Sequence, residues 1–168
     1  VDKSNQLDLT PAQNNTLRQA ISLFEKDQLP DDAYEKAMEI LEDDSLPPFS
    51  KGWRKVADLI GTINTTLLRN SAPSNRKLKY EVNSGDNLDR IASKKTTVRA
   101  LQKGNNIPLD SQIIHPGDVL RFFGGKWEIE IIRSQYILLL KLDGRFFKYY
   151  NISIGELNRT PLGKFVIH

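Results

Sequence analysis

The chain has 168 residues, a formal net charge of +3, two histidines and no cysteine. The lack of cysteine excludes disulfides, thiolate metal sites and thiol nucleophiles from these residues. No window approaches about 18 consecutive apolar residues, so no membrane-spanning helix is expected. The charge is uneven: residues 1–50 hold 4 basic and 11 acidic residues, and the remaining 118 hold 20 basic and 10 acidic. A basic back half raises nucleic acid as a partner. Its cations are scattered, however, with no aromatic-interleaved basic stripe, so no nucleic acid is expected. Two isolated histidines make no metal site, and no cofactor is expected.

The first 77 residues read as helices and a link. Thr10-Pro11 pairs a capping residue with proline at the first helical position. Leu17, Ala20, Ile21 and Phe24 follow at i, i+3, i+4 and i+7, a single apolar stripe. Residues 27–30 stop that helix, and Asp31 is expected to cap a second one bearing Ala33, Ala37, Ile40 and Leu41. Pro47-Pro48 breaks it. Ser50 is placed to cap a third helix reaching Leu68, with Trp53, Val56, Ala57, Ile60, Ile63 and Leu67 at helical spacing.

This arrangement resembles a tetratricopeptide-like hairpin with a capping helix, although solenoids normally need several such units. The resemblance implies a docking surface for a protein partner, or a spacer. The plainer reading is a helical packing domain with Trp53 as its largest core piece. Residues 70–77 are polar, contain proline, and are expected to form a linker that lets the next unit move.

Residues 78–123 read as strand, helix, helix, strand. Tyr80-Glu81-Val82 alternates as a half-buried strand does. A turn follows at residues 83–86, where Ser84 or Asp86 is expected to cap a helix driven by Leu88, Ile91 and Ala92. A second helix fits residues 97–103, and Asn105-Asn106 breaks it. His115-Pro116-Gly117-Asp118 makes a turn before a strand at residues 119–122. The result is a βααβ unit with two helices on one face of a two-stranded antiparallel sheet.

That unit resembles the LysM domain over its whole length. The residues carrying the resemblance are Gly85-Asp86-Asn87-Leu88 with Ile91-Ala92, then Leu101 with Asn105, then Pro116-Gly117 with Leu120. Asn87 stands where the family usually has Thr or Ser, and Asp118 where Gln is common; both keep a polar group. The resemblance implies binding of glycans built from N-acetylglucosamine, such as peptidoglycan or chitin. Carried over by position, one groove wall is Gly85, Asp86, Asn87 and Leu88, and the other is Asn106, Ile107, Pro108 and Leu109. Loop amides would bond the acetamido group while apolar side chains cover the sugar face. The plainer alternative is that Gly85 and Asp86 only build a turn, and that Leu88, Ile91 and Ala92 are only core.

Residues 124–168 read as β-rich after Gly124-Gly125. Strands fit residues 127–132, 136–142 and 146–154, with Asp143-Gly144 as a two-residue hairpin turn. Some of these strands look buried on both faces. A loop at residues 155–159 and Thr160-Pro161-Leu162-Gly163 lead to a last strand at residues 164–167. With Ser153-Ile154-Gly155 and the run Thr160 to Phe165, this segment is similar to the start of an L,D-transpeptidase catalytic domain. In that family a cysteine thiolate, prepared by nearby His and Arg, attacks the peptide stem. Neither the cysteine nor that motif occurs here, and His168 comes too early to be the motif histidine. A sheet left with bare apolar edges invites a covering partner, so the expectation is that the catalytic domain continues beyond His168.

The fold class expected is therefore α+β and multidomain: a tetratricopeptide-like helical segment at 1–77, a LysM domain at 78–123 and a partial L,D-transpeptidase-like β domain at 124–168. The function expected is the peptidoglycan-binding portion of a cell-wall L,D-transpeptidase located in the extracytoplasmic cell envelope. The alternative is a non-catalytic peptidoglycan-binding or scaffold protein whose helices recruit a partner.

Overall fold

The computed structural model describes residues 6–93, 95–153, 155 and 163–165. Of the expected transpeptidase-like features, Ile154, Thr160, Pro161, Leu162 and His168 lie outside the described residues, as do residues 166–167 of the expected last strand.

Three helices come first: α1 (Pro11–Glu25), α2 (Pro30–Leu41) and α3 (Lys51–Leu68). Helix α1 opens with a reciprocal capping box, in which Gln13 N donates to Thr10 Oγ1 and Thr10 N donates to Gln13 Oε1. Ser50 Oγ caps α3 by accepting from Trp53 N at 3.2 Å. Every apolar position expected on the inner face of α3 is buried, from Trp53 to Leu67.

The cap expected of α2 is a correction. Leu29 holds the N-cap position without a side-chain bond, and Pro30 starts the helix. The Asp31 carboxylate instead accepts from Ser74 Oγ at 2.7 Å and from Asn75 N at 2.9 Å.

The second part is β1 (Leu78–Glu81), α4 (Leu88–Ala92), α5 (Val98–Gly104) and β2 (Val119–Phe122). β1 and β2 pair antiparallel, with Tyr80 opposite Leu120. A three-stranded antiparallel sheet follows, in order β3 (Trp127–Ile132), β4 (Ile137–Leu142) and β5 (Arg145–Asn151). Asp143 (φ 50°) and Gly144 (φ 79°) turn β4 into β5. Two successive left-handed residues match the twist of a tight hairpin, and Gly144 takes up that conformation without a Cβ penalty.

Two hydrophobic cores result. One joins the helices to the three-stranded sheet, and Trp53 is its bridge, with ring centroids 5.5 Å from both Phe146 and Tyr149. The other belongs to the βααβ unit and holds Val82, Leu88, Ile91, Leu101, Leu120 and Phe122. The chain passes between them in one step, since Phe122 is in the second core and Phe123 in the first.

Burial on both faces is found only in part. Ile137 and Leu139 of β4 are buried, but Ile129 and Ile131 of β3 are about half exposed. Because facing residues of an antiparallel pair share a face, Ile129 opposite Leu140 and Ile131 opposite Leu138 place an apolar surface on the side away from Ile137 and Leu139.

Residues 70–77 are not the loose link that their composition predicts. Lys77 Nζ donates to Asn70 O at 2.7 Å and to Ala72 O at 3.1 Å, beyond the C-terminus of α3. The Arg76 guanidinium lies 3.5 Å from the centroid of the Tyr34 ring, and Asp31 holds Ser74 and Asn75. A polar segment becomes ordered when tertiary bonds satisfy its backbone.

A candidate glycan groove on the βααβ unit

The first wall is the loop between β1 and α4. Gly85 has φ 85°, a conformation that a side chain would strain. A Cβ placed there would meet no atom within 4 Å, so the loop's tip faces open space. Asp86 braces this loop from inside: its Oδ2 accepts from Tyr80 Oη and from Asn83 N, both at 2.8 Å. The Asn83 amide first, then the Tyr80 hydroxyl, hold the carboxyl below the usual aspartate range.

The cap of α4 is Asn87, whose Oδ1 accepts from Arg90 N at 2.8 Å, rather than Ser84 or Asp86. That role explains the residue type. Ser, Thr and Asn all cap helices, so an Asn where Thr or Ser is usual preserves the geometry. Leu88 is also corrected, because it is fully buried in the unit's core and its side chain cannot touch a sugar.

The second wall follows α5. Asn105 joins helix to strand: its Nδ2 donates to Leu101 O and Arg121 O, and its Oδ1 accepts from Arg121 N. A side-chain amide here imitates a strand neighbour for β2. Asn106 then turns the chain in a left-handed conformation (φ 57°), which asparagine tolerates well. Asn106, Pro108 and Leu109 are exposed, and Ile107 is half-buried against the unit's core. Leu109 is 50% exposed. Reading by position passed over Ile113, which is 70% exposed later in the same loop. Its signal was an aliphatic residue in a segment with no helical or strand period.

Asp118 shapes the turn that returns the chain, accepting from His115 N at 2.8 Å on a side-chain oxygen and from Val82 N at 2.8 Å on its carbonyl. His115 is exposed at that turn. Among the described residues no group of three or more His, Cys, Asp or Glu could hold a metal ion, and no helix is long and apolar enough to cross a membrane. A separate cavity of about 430 Å³ lies where α3, α5 and the three-stranded sheet meet, lined by Leu68, Ala100, Trp127 and Leu140. It shares no residue with either wall.

The fold thus defines a small βααβ module whose two loops, at Gly85 and at Asn106 to Leu109, carry exposed residues. Residues 80–123 match the family model of the LysM domain. Neither curated proteins nor solved structures give a match to the chain. The LysM domain supports binding of peptidoglycan or related carbohydrate by this unit.

Proposed function

We propose that this chain is the wall-binding portion of an L,D-transpeptidase, with its LysM domain anchoring it to N-acetylglucosamine-containing strands in the cell envelope, outside the cytoplasm. The observation that carries the binding half is the pair of loops on the LysM unit: an open tip at Gly85 on one side, exposed Pro108 and Leu109 on the other. Anchoring needs only weak affinity, because it raises the local concentration of wall strands around whatever is attached.

The transpeptidase half rests on the strand order, the Asp143-Gly144 hairpin and the exposed Ile129 and Ile131 of β3, an edge suited to further β-structure. The 168 residues include no cysteine, so what they supply is binding and not the acyl transfer itself. The tetratricopeptide-like reading of the helices carries less, since their apolar stripes already face each other and the sheet.

Co-sedimentation with purified peptidoglycan sacculi tests the anchor. The protein should pellet, and Ile107→Asp together with Asp86→Ala should reduce pelleting; no pelleting of the unaltered protein would refute it. The intact mass of the protein isolated from its natural host tests the parent enzyme. A species well above 19.1 kDa that contains a reactive cysteine supports it, and one near that mass leaves a non-catalytic wall-binding protein.

A further inference from the structure

Gln102 is a polar side chain inside the small LysM core, only 4% exposed on helix α5. A buried amide is unfavourable unless its groups are bonded. Here the bonds go to one place. Gln102 Nε2 lies 2.6 Å from Ser111 O, 3.2 Å from Pro108 O and 3.5 Å from Leu109 O. An amide nitrogen has two hydrogens, so Ser111 and Pro108 take the bonds, with Leu109 O at the margin. The reverse orientation would set its oxygen against three carbonyl oxygens.

Pro108 and Leu109 belong to the second wall and Ser111 follows in the same loop, which has no helix or strand to fix it. Main-chain bonds add to the same anchor: Ile107 N donates to Gln102 O at 2.9 Å, and Ser111 N to Pro108 O at 3.1 Å. Gln102 therefore ties both ends of residues 107–111 to a helix that is part of the core. Leu109 and Pro108 stand between the two tied points, exposed.

We propose that Gln102 is the positioning residue of the glycan groove. Without touching the sugar, it fixes how far the Pro108–Leu109 wall stands from the Gly85 wall, and so governs affinity for N-acetylglucosamine oligomers. This rests on the glycan-binding reading above. Gln102→Glu keeps the shape and replaces two donors by a carboxylate facing carbonyl oxygens. Burial and those carbonyls push such a carboxyl above its ordinary value of about 4.3. Lowering the pH to about 5 then restores one O–H donor.

The test is titration of the full chain with soluble N-acetylglucosamine tetramer at pH 8 and pH 5, alongside hydrogen exchange of the Ile107 and Ser111 amides. Relative to the unaltered protein at each pH, Gln102→Glu should bind about tenfold more weakly at pH 8, the scale of one or two lost hydrogen bonds. It should recover part of that at pH 5. Gln102→Met, with no donor, should stay weak at both, which a general loss of packing in the glutamate variant would not reproduce.

Equal binding by all three proteins overturns the proposal. If the unaltered protein does not bind the tetramer, the glycan reading fails on its own. Amide exchange then decides whether Gln102 holds the loop: faster exchange in Gln102→Glu at pH 8 upholds the tie, and unchanged exchange removes it.

Discussion

The side-chain amide of Asn64, fully buried in α3, donates to the main-chain carbonyl of Phe147 in β5 at 2.7 Å. Phe147 sits where the pairing of β4 with β5 shifts register between Leu140 and Lys141. A bulge leaves a residue out of the ladder, and the helix supplies the partner that the ladder does not. Asn64 Oδ1 in turn accepts from Arg76 Nη2, so one amide joins helix, sheet and the segment leading to the LysM unit.

Asn64→Leu should therefore destabilise the protein more than its size change suggests. It strands the Phe147 carbonyl and one guanidinium N–H in the interior, a loss of about 2–4 kcal/mol. Urea unfolding followed by Trp53 fluorescence measures it, because Trp53 lies in the same core. A loss below 1 kcal/mol would mean that water reaches both groups.

Asn87 offers a second test, of motif against mechanism. If capping is its role, Asn87→Ser should be nearly neutral, whereas Asn87→Ala should lower LysM stability by about 1 kcal/mol. Thermal unfolding of the two variants separates the readings. Equal losses would mean that the Asn87 side chain does something other than accept from Arg90 N.

What could be read from the chain, and what could not, divides along local and tertiary causes. Helix α3 was legible at both ends because Ser50 and the spacing from Trp53 to Leu67 act within the helix itself. The strands at Trp127–Ile132 and Val119–Phe122 were legible for the same reason. Asp31 was misread because its partners, Ser74 and Asn75, are more than 40 residues away. Local propensity for an N-cap lost to a tertiary bond. Residues 70–77 look like a linker by composition, yet what orders them is Asp31, Tyr34 and the end of α3. For the proposed groove, Gly85 and Leu109 were assigned by motif position alone. Leu88 was carried with them although its spacing to Ile91 and Ala92 already marked it as core. Gln102 left no mark at all, since a glutamine in a helix reads as surface until a loop's carbonyls are seen around it.

Lys77 makes a prediction in pH. Burial, aided by the Arg121 charge, pushes its ammonium down to about 8 from an ordinary value near 10.5. Between these values the unfolded chain keeps a proton that the folded chain has released. Stability rises with pH wherever the unfolded state binds more protons. The Lys77 contribution should thus improve from pH 8 to about 10.4. Other lysines and tyrosines titrate nearby, so the measured quantity is the difference from Lys77→Met. That variant should lack the rise, and parallel stability curves through the window would refute the buried ammonium.

Gly104 tests how the LysM unit is seated. A Cβ on Gly104, the last residue of α5, would lie 3.0 Å from the main-chain oxygen of Leu68 at the end of α3. Alanine favours a helix over glycine by up to about 1 kcal/mol, less at a helix end. Crowding a packed contact costs about 1–3 kcal/mol, and a helix carbonyl cannot step aside as a flexible side chain can. The clash should win. Gly104→Ala is expected to lower stability by roughly 1 kcal/mol and to loosen α5 from α3. Thermal unfolding reads the first effect. Rotational correlation times of LysM amides read the second, shortening if the unit comes free of the helices. A stabilised variant with unchanged tumbling would mean that α5 does not press on α3, and that the bonds of residues 70–77 alone hold the unit in place.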